Sequence, residues 1–190
     1  MTRHVYEVME ELREDHRNLT VLLNLLDREI ARLERVEAPD FELLHDIMTY
    51  MTGYPDAVHH KKEDWVYARM AAVRDSMQAD LERIEGDHAE ISAFGNKLLS
   101  DIQEIEAGAF LPRADVVADA HRYLTRQRDH MRWEDTYMFP LIDSMKAELD
   151  LSERSSRIAD MADPVFGPEV LASFGSLLAA IRNEAEQAAS

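Results

Sequence analysis

The chain has 190 residues, enough for one ordinary domain with a core of its own. Gly and Pro are scarce, at 6 each, which favours an all-α fold. The formal charge of −17 argues against nucleic-acid and anionic-membrane partners. Without Cys the chain has no disulfide, thiolate nucleophile, Fe–S cluster or zinc finger. Because no apolar leader follows Met1 and no long apolar run occurs, we expect a cytoplasmic protein without membrane contact.

The first predicted helix runs from about Thr2 to Arg35 and carries a histidine in its apolar seam. Apolar residues recur at alternating spacings of three and four, which is typical of a helix packed in a bundle. His16 occupies one of these seam positions. Pro39 and Asp40 then mark a turn and the next N-cap.

The second and third predicted helices repeat this design. Helix two runs from about Asp40 to Val73, and we expect Gly53 and Pro55 to kink it. Helix three spans about Ser76 to Glu106, and His88 takes the middle of its apolar seam.

The fourth predicted helix completes a bundle. Gly108 and Pro112 supply a stop and a start, so helix four should run from about Arg113 to Met138. We expect Pro140 to lie beyond its end.

The tail from Lys146 to Ser190 forms a second region. We predict a four-helix bundle over residues 1–145 and a helical extension over 146–190, with Ser152 as a candidate N-cap. The extension packs on the bundle or on a second subunit, which makes a homodimer a candidate assembly. Its predicted apolar face consists of Val170, Leu171, Phe174, Leu177, Leu178 and Ile181.

An internal repeat relates the two halves of the bundle. The dipeptide Asp15-His16 is matched by Asp87-His88, and the segment 59–64 is matched by 130–135. The isolated His and the HxxxE pair are 43 residues apart in the first half and 42 in the second. Each predicted helical hairpin therefore contributes one isolated His and one HxxxE pair.

Residues equidistant from a hairpin turn lie side by side, so the repeat places four imidazoles and two carboxylates at one level of the core. Such groups would be costly to bury without partners, and a shared metal removes that cost. Imidazole suits Fe, Zn, Cu or Ni, and paired carboxylates can bridge two ions. Any one of these residues alone has an ordinary structural explanation; their common register favours metal. The predicted ligands are His16, His59, Glu63, His88, His130 and Glu134.

The other histidines are weaker candidates. Regular helical geometry turns His60 about 100° from His59, to the edge of the core face, where it is a candidate further ligand. His121 should face away from the core. His45 follows the first turn too closely to reach the site, and His4 lies outside the register.

Two tyrosines share the face of His130. Tyr123 and Tyr137 are each seven residues from it, so either is a candidate to line a small-molecule pocket. Core tyrosines bonded to a carbonyl group are an equally good interpretation.

Four motifs in this order resemble the hemerythrin and HHE cation-binding family. They are EDH at Glu14–His16, YPDAVHHKKED at Tyr54–Asp64, GDH at Gly86–His88 and DHMRWEDTYMFP at Asp129–Pro140. The resemblance implies an up-down-up-down four-helix bundle that holds two iron ions bridged by carboxylates and by an oxo or hydroxo group. It implies Glu63 and Glu134 as bridges, and His16, His59, His88 and His130 as terminal ligands.

This chain departs from the oxygen-carrying hemerythrins at two positions. Ser92 stands where those proteins have a second histidine four residues after the one on helix three. Glu134 follows its histidine by four residues, where they have Asp at five. The lost imidazole opens a coordination position, or lets His60 or water fill it, and this favours a more reactive or iron-sensing site over reversible O2 carriage.

Several functions stay open. The protein is expected to bind O2, NO or peroxide at an open iron position, to handle iron, or to act as a redox enzyme that disposes of peroxide or NO. It also resembles di-iron proteins that repair iron–sulfur clusters, but lacks their Cys-containing segment. A metal-free helical scaffold is a further alternative. A ferritin-like oxidase needs ExxH on two helices, and the ExxH ending at His45 is not level with the one ending at His88.

Overall fold

The chain is all-helical over the residues that a computed structural model describes, namely 2–149, 163–167 and 172–188. No strand occurs in those ranges. The packing is that of a helical bundle, since α1 and α4 each pack against α2, α3 and α5. The α-helices of these ranges, α1 to α7, are Thr2–Glu34, Phe41–Tyr54, His60–Val73, Gln78–Glu106, Arg113–Trp133, Phe139–Met145 and Gly175–Ala188.

The turns between the first helices fall where the sequence predicts them. After α1, Val36 takes a left-handed backbone conformation with φ 65°, and Asp40 caps α2 by accepting a backbone N–H from its first turn. Helix α3 ends at Val73, and Gly108, with φ 90°, follows α4. The predicted bounds of the first three helices are thus confirmed.

Two π-helical turns interrupt the bundle helices. Pro55–His59 joins α2 to α3, and Glu134–Met138 joins α5 to α6. In each case the residue after the turn donates its N–H to the carbonyl group five residues earlier. A π turn inserts one residue, so the side chains beyond it are rotated by about 100° relative to a regular helix. Such turns are frequent at functional sites.

The π turns also explain how the helices accommodate Pro55 and Pro140. The kink predicted at Pro55 takes the form of the first π turn. The predicted end of helix four before Pro140 is wrong, because the helix continues as α6 to Met145. Pro140 has no N–H to donate and would crowd the carbonyl group four residues earlier in a regular helix, but it lies in the first turn after a π turn.

The apolar core is divided into two parts. The larger core contains Leu19 of α1 and Ile91 of α4, and the smaller core contains Leu12 and Ile84 of the same helices. In sequence, His16 lies between Leu12 and Leu19. His88 lies between Ile84 and Ile91. A polar layer therefore separates two apolar regions.

Helix α7 packs against α1 and α2. Phe174 and Leu177 are buried in the larger core, and the Tyr50 hydroxyl donates to Asp163 at 2.8 Å. Ser152, Val170 and Leu171 lie outside the residues with described side chains, so the predicted cap and part of the apolar face stay predictions. The domain division at residue 145 and pairing through a second subunit also stay predictions. Across the described helices, none has the length and apolar character needed to cross a membrane.

Candidate metal centre

The polar layer brings the six predicted ligands together. Five of them are almost completely buried, and His88 is 13% exposed at its side chain. Glu63 lies at the centre with its two oxygens directed to different histidines. Oε1 is 3.0 Å from His59 Nε2 and 3.6 Å from His16 Nε2, while Oε2 is 3.3 Å from His88 Nε2. The Glu63 carboxylate thus contacts the imidazoles of three histidines, each from a different helical segment.

Glu134 is arranged differently. Its Oε2 lies 3.2 Å from His130 Nε2 and 3.4 Å from His16 Nε2. Its Oε1 accepts a hydrogen bond of 2.6 Å from the Tyr67 hydroxyl. Only one oxygen of this carboxylate therefore faces the histidines.

His60 belongs to the same layer. The sequence places it at the edge of the core face, but the π turn at Pro55–His59 precedes it and changes the helical phase. His60 is 5% exposed, and its ring stacks on the His88 ring with centroids 4.0 Å apart. The structure therefore adds a fifth imidazole to the four that the repeat predicts.

The ligand atoms form two groups that share Glu63. In each group, all ligand atoms lie within 4.8 Å of one another. One group has three imidazoles and the other has two, so the two groups are unequal in their number of nitrogen ligands. The groups are His60, Glu63, His88 and His130, and His16, His59 and Glu63.

Polar atoms without hydrogen-bond partners concentrate in this layer. Of the thirteen such buried side-chain atoms among the described residues, eight belong to its histidines and glutamates. Burying an unpaired nitrogen or oxygen costs free energy, and native structures rarely accept it. Imidazole nitrogens and carboxylate oxygens are metal ligands, so two cations at these groups would pair the atoms. The donor set fits a two-metal centre.

The aspartates of the repeated dipeptides lie next to Nδ1 of two of the histidines. Asp15 precedes His16 in sequence, yet its Oδ2 lies 3.1 Å from Nδ1 of His59. Asp87 lies 3.6 Å from Nδ1 of His130, near it but beyond hydrogen-bond distance. Asp15 is within hydrogen-bond distance of His59. Because an ionised carboxylate only accepts hydrogen bonds, Asp15 places the hydrogen on Nδ1 and leaves the Nε2 lone pair for a metal.

The aspartate that follows each glutamate lies beside Nδ1 of an isolated histidine, and Asp135 is close enough to accept a hydrogen bond. Asp135 lies 2.8 Å from Nδ1 of His16, and Asp64 lies 3.7 Å from Nδ1 of His88. The sequence repeat contains all four aspartates, but spacing alone assigns them no role. Their function becomes visible once the helices pack, because each aspartate supports a histidine of another helix.

The fifth imidazole has an equivalent support. Asp56 lies 3.1 Å from Nδ1 of His60 and accepts a hydrogen bond from Ser92 at 3.0 Å. Ser92 stands where oxygen-carrying hemerythrins place their additional histidine. In this chain the serine therefore anchors the carboxylate that orients His60.

Opposite charges in the layer shift one another's pKa values. Burial would raise the pKa of Glu63, but His59, His16 and His88 hold it well below its ordinary value. Burial would lower the pKa of His59, but Glu63 and Asp15 raise it to about 9. Burial lowers the pKa of His60 to about 4, so this ring is neutral at pH 7. Because metal binds deprotonated imidazole, metal and protons compete for this site.

A cavity of about 230 Å³ adjoins the two-imidazole group. Its lining residues all carry polar or charged groups and are Arg13, His16, Arg17, Thr20 and Asp135. A second cavity, of about 240 Å³, is lined in part by Tyr67 and Asp64, which neighbour the layer. The layer can therefore be approached from outside.

The two tyrosines predicted to line a pocket do not share one environment. Tyr123 is buried in the larger core, where its ring lies against Gly95. Tyr137 is 45% exposed, and its hydroxyl donates to Asp80 at 3.3 Å. The spacing of seven from His130 would place Tyr137 on the core face of a regular helix, but the π turn at Glu134–Met138 rotates it outward.

The remaining histidines lie away from the layer. His45 pairs with Glu106 at 3.1 Å, and His121 pairs with Glu34 at 2.7 Å, both near the surface. The ExxH motif that ends at His45 is therefore not part of the site, in agreement with rejection of a ferritin-like centre. The side chain of His4 lies outside the described part of the chain.

Comparison with known proteins gives one match. The profile of the hemerythrin HHE cation-binding domain matches residues 7–142, which include every histidine and glutamate of the polar layer. Searches of curated proteins and of solved structures found no match.

Proposed function

Because the chain belongs to the hemerythrin HHE cation-binding domain family, we propose that its polar layer binds two iron ions. The observation that carries this proposal is the pair of ligand groups that share Glu63. The first ion would be held by His60, His88 and His130, and the second by His16 and His59. Both glutamates would bridge. We also propose that the long helical segments run up-down-up-down, as the alternating turns favour.

The open coordination position belongs to the second ion. That ion would have two imidazoles where the first has three, so it is the one with room for a further ligand. The cavity beside His16 gives a small molecule a route to this position. We propose O2, NO or peroxide as the ligand, because these molecules are small enough and bind ferrous iron directly.

The bound iron would supply electrons and Lewis acidity. The protein's own side chains orient the metal ligands and exclude water. Asp135, Asp15 and Asp56 fix the tautomers of the imidazoles to which they are hydrogen-bonded. The two apolar cores exclude water from both ends of the layer.

Reaction with the ligand is favoured over reversible carriage. His60 restores five imidazoles, so a missing histidine no longer argues against carriage. The cavity does, because Arg13, Arg17 and Asp135 place charged groups beside the route to the second ion. A pocket without charged groups protects a bound ligand from protons, and this cavity has charged groups in its lining. A cytoplasmic redox enzyme for peroxide or NO is the alternative within the same site.

The test is stopped-flow mixing of the anaerobic, iron(II)-loaded protein with O2, followed by evacuation. We expect irreversible oxidation of the iron in air, and NO binding when O2 is absent. Repeated release of O2 under vacuum would show a carrier instead. Adding peroxide with a reductant separates the remaining alternatives, since only an enzyme consumes many equivalents per site.

A further inference from the structure

We propose that Tyr67 is a positioning residue that makes the two carboxylates of the polar layer unequal, so that Glu134 offers a single oxygen to metal while Glu63 offers two. This inference rests on the proposed two-metal centre. It concerns how the second carboxylate is presented, which neither the sequence repeat nor the family assignment specifies. The repeat treats the two glutamates as equivalent.

The Tyr67 hydroxyl donates a hydrogen bond to one oxygen of Glu134, Oε1. The phenol hydroxyl lies 2.6 Å from Oε1, a short separation typical of a neutral donor on an ionised carboxylate. Tyr67 is 1% exposed, so water does not compete for this bond. A buried hydrogen bond to a charged group is costly to break, because both partners would be left unpaired.

The Tyr67 ring is fixed by packing as well as by its hydroxyl. It lies in the smaller core with Val66, Met70 and Met138. Tyr67 follows Glu63 by four residues in α3, so the ring projects from the same helix face one turn further on. The helix that supplies one glutamate thus restrains the other.

Glu63 has no comparable restraint among the described residues. Neither of its oxygens has a hydrogen-bond partner, and both face imidazoles of the layer. Glu63 can therefore give one oxygen to each ion. Glu134 can reach both ions only through Oε2, which lies between His16 and His130. This withholds a donor atom from the centre and keeps a coordination position available.

The experiment compares the full chain with Tyr67→Phe and Tyr123→Phe after loading with Co(II). Tyr123 is the matched control, because its phenol is also buried but its hydroxyl has no hydrogen-bond partner among the described residues. Visible absorption of Co(II) weakens as its coordination number rises. Crystal structures of the loaded proteins show directly which oxygens of Glu134 bind metal.

In wild type we expect Glu134 to bind through one oxygen, with Tyr67 still on Oε1. In Tyr67→Phe the freed Oε1 should bind metal, with a loss of visible absorption per Co(II), while Tyr123→Phe should match wild type. Identical coordination in wild type and Tyr67→Phe would overturn the proposal. So would wild-type Glu134 binding through both oxygens, a result that stands even if the variant fails to fold. Failure of wild type to bind two Co(II) would instead refute the two-metal centre.

Discussion

The two helical hairpins carry matching motifs, yet their π turns lie on opposite sides of the HxxxE pair. In the first hairpin the π turn Pro55–His59 precedes Glu63, and in the second the turn Glu134–Met138 follows His130. The first turn brings two successive histidines into the core, whereas the residue after His130 is Met131, which packs in the larger core. A sequence repeat therefore produces an asymmetric site.

This difference shows how one inserted residue changes chemistry without changing a motif. The extra histidine of the first hairpin joins the ligand group dominated by the second hairpin. The two-imidazole group is left with the cavity beside it. In the proposed two-metal centre, differences in helical phase as well as residue identity would decide which ion has an open position.

The largest effect is expected from Glu63→Ala, since both ligand groups contain Glu63. The variant should lose both ions, because each group loses its shared carboxylate and the imidazoles repel one another when protonated. Metal analysis after anaerobic iron loading measures this. His121→Ala is the control, as His121 lies at the surface, and it should keep the wild-type metal content.

Breaking each group separately sharpens the comparison. His59→Ala leaves one imidazole in the weaker group, so about one ion per chain should remain at moderate metal concentration. His130→Ala leaves two imidazoles in the stronger group and should retain more metal. Equal losses in the two variants, measured by titration with iron(II), would argue against two unequal sites.

The fifth imidazole is tested by His60→Met, which gives the first hairpin the residue found at the matching position of the second. We expect a loss of affinity for one ion of at least about 10-fold, with both ions still bound at saturating metal. The optical spectrum should change because a ligand is lost. An unchanged titration and spectrum would show that His60 only packs against His88.

The smallest effect should come from the supporting aspartates. Asp135→Ala removes the carboxylate behind His16, and we expect an affinity about 10-fold lower for the two-imidazole ion. Asp129→Ala is a matched control, because it removes the same charge from a residue paired with Arg132 at the surface. Calorimetric titrations of the two variants should differ; if they agree, only net charge matters.

The sequence predicts the helices well, because apolar spacing and turn residues act locally. Asp40 and Gly108 mark the turns in both sequence and structure. The sequence fails at Pro140, which signals a helix end but lies in the first turn after a π turn. The spacing of apolar residues does not reveal a π turn. A regular helix therefore places His60 and Tyr137 about 100° away from their positions in the structure.

Part of the candidate site can also be predicted from the sequence. The six residues of the repeat meet in one layer, since the separation of the isolated His and the HxxxE pair is nearly equal in the two halves of the bundle. Tyr67 was missed, although it follows Glu63 by the four residues that place it on the same face. The aspartates were visible in the repeat, but Asp15 supports His59 and not its neighbour in sequence. Such cross-helix contacts depend on packing that one helix cannot reveal.

The most direct test of the two-metal account is an anaerobic iron(II) titration of the wild-type protein alongside Glu63→Ala. We expect wild type to saturate at two ions per chain in two steps of unequal affinity, with a Tm that rises as metal binds. Glu63→Ala should show neither step. Saturation of wild type at one ion or none, or two ions retained in the variant, would contradict the account.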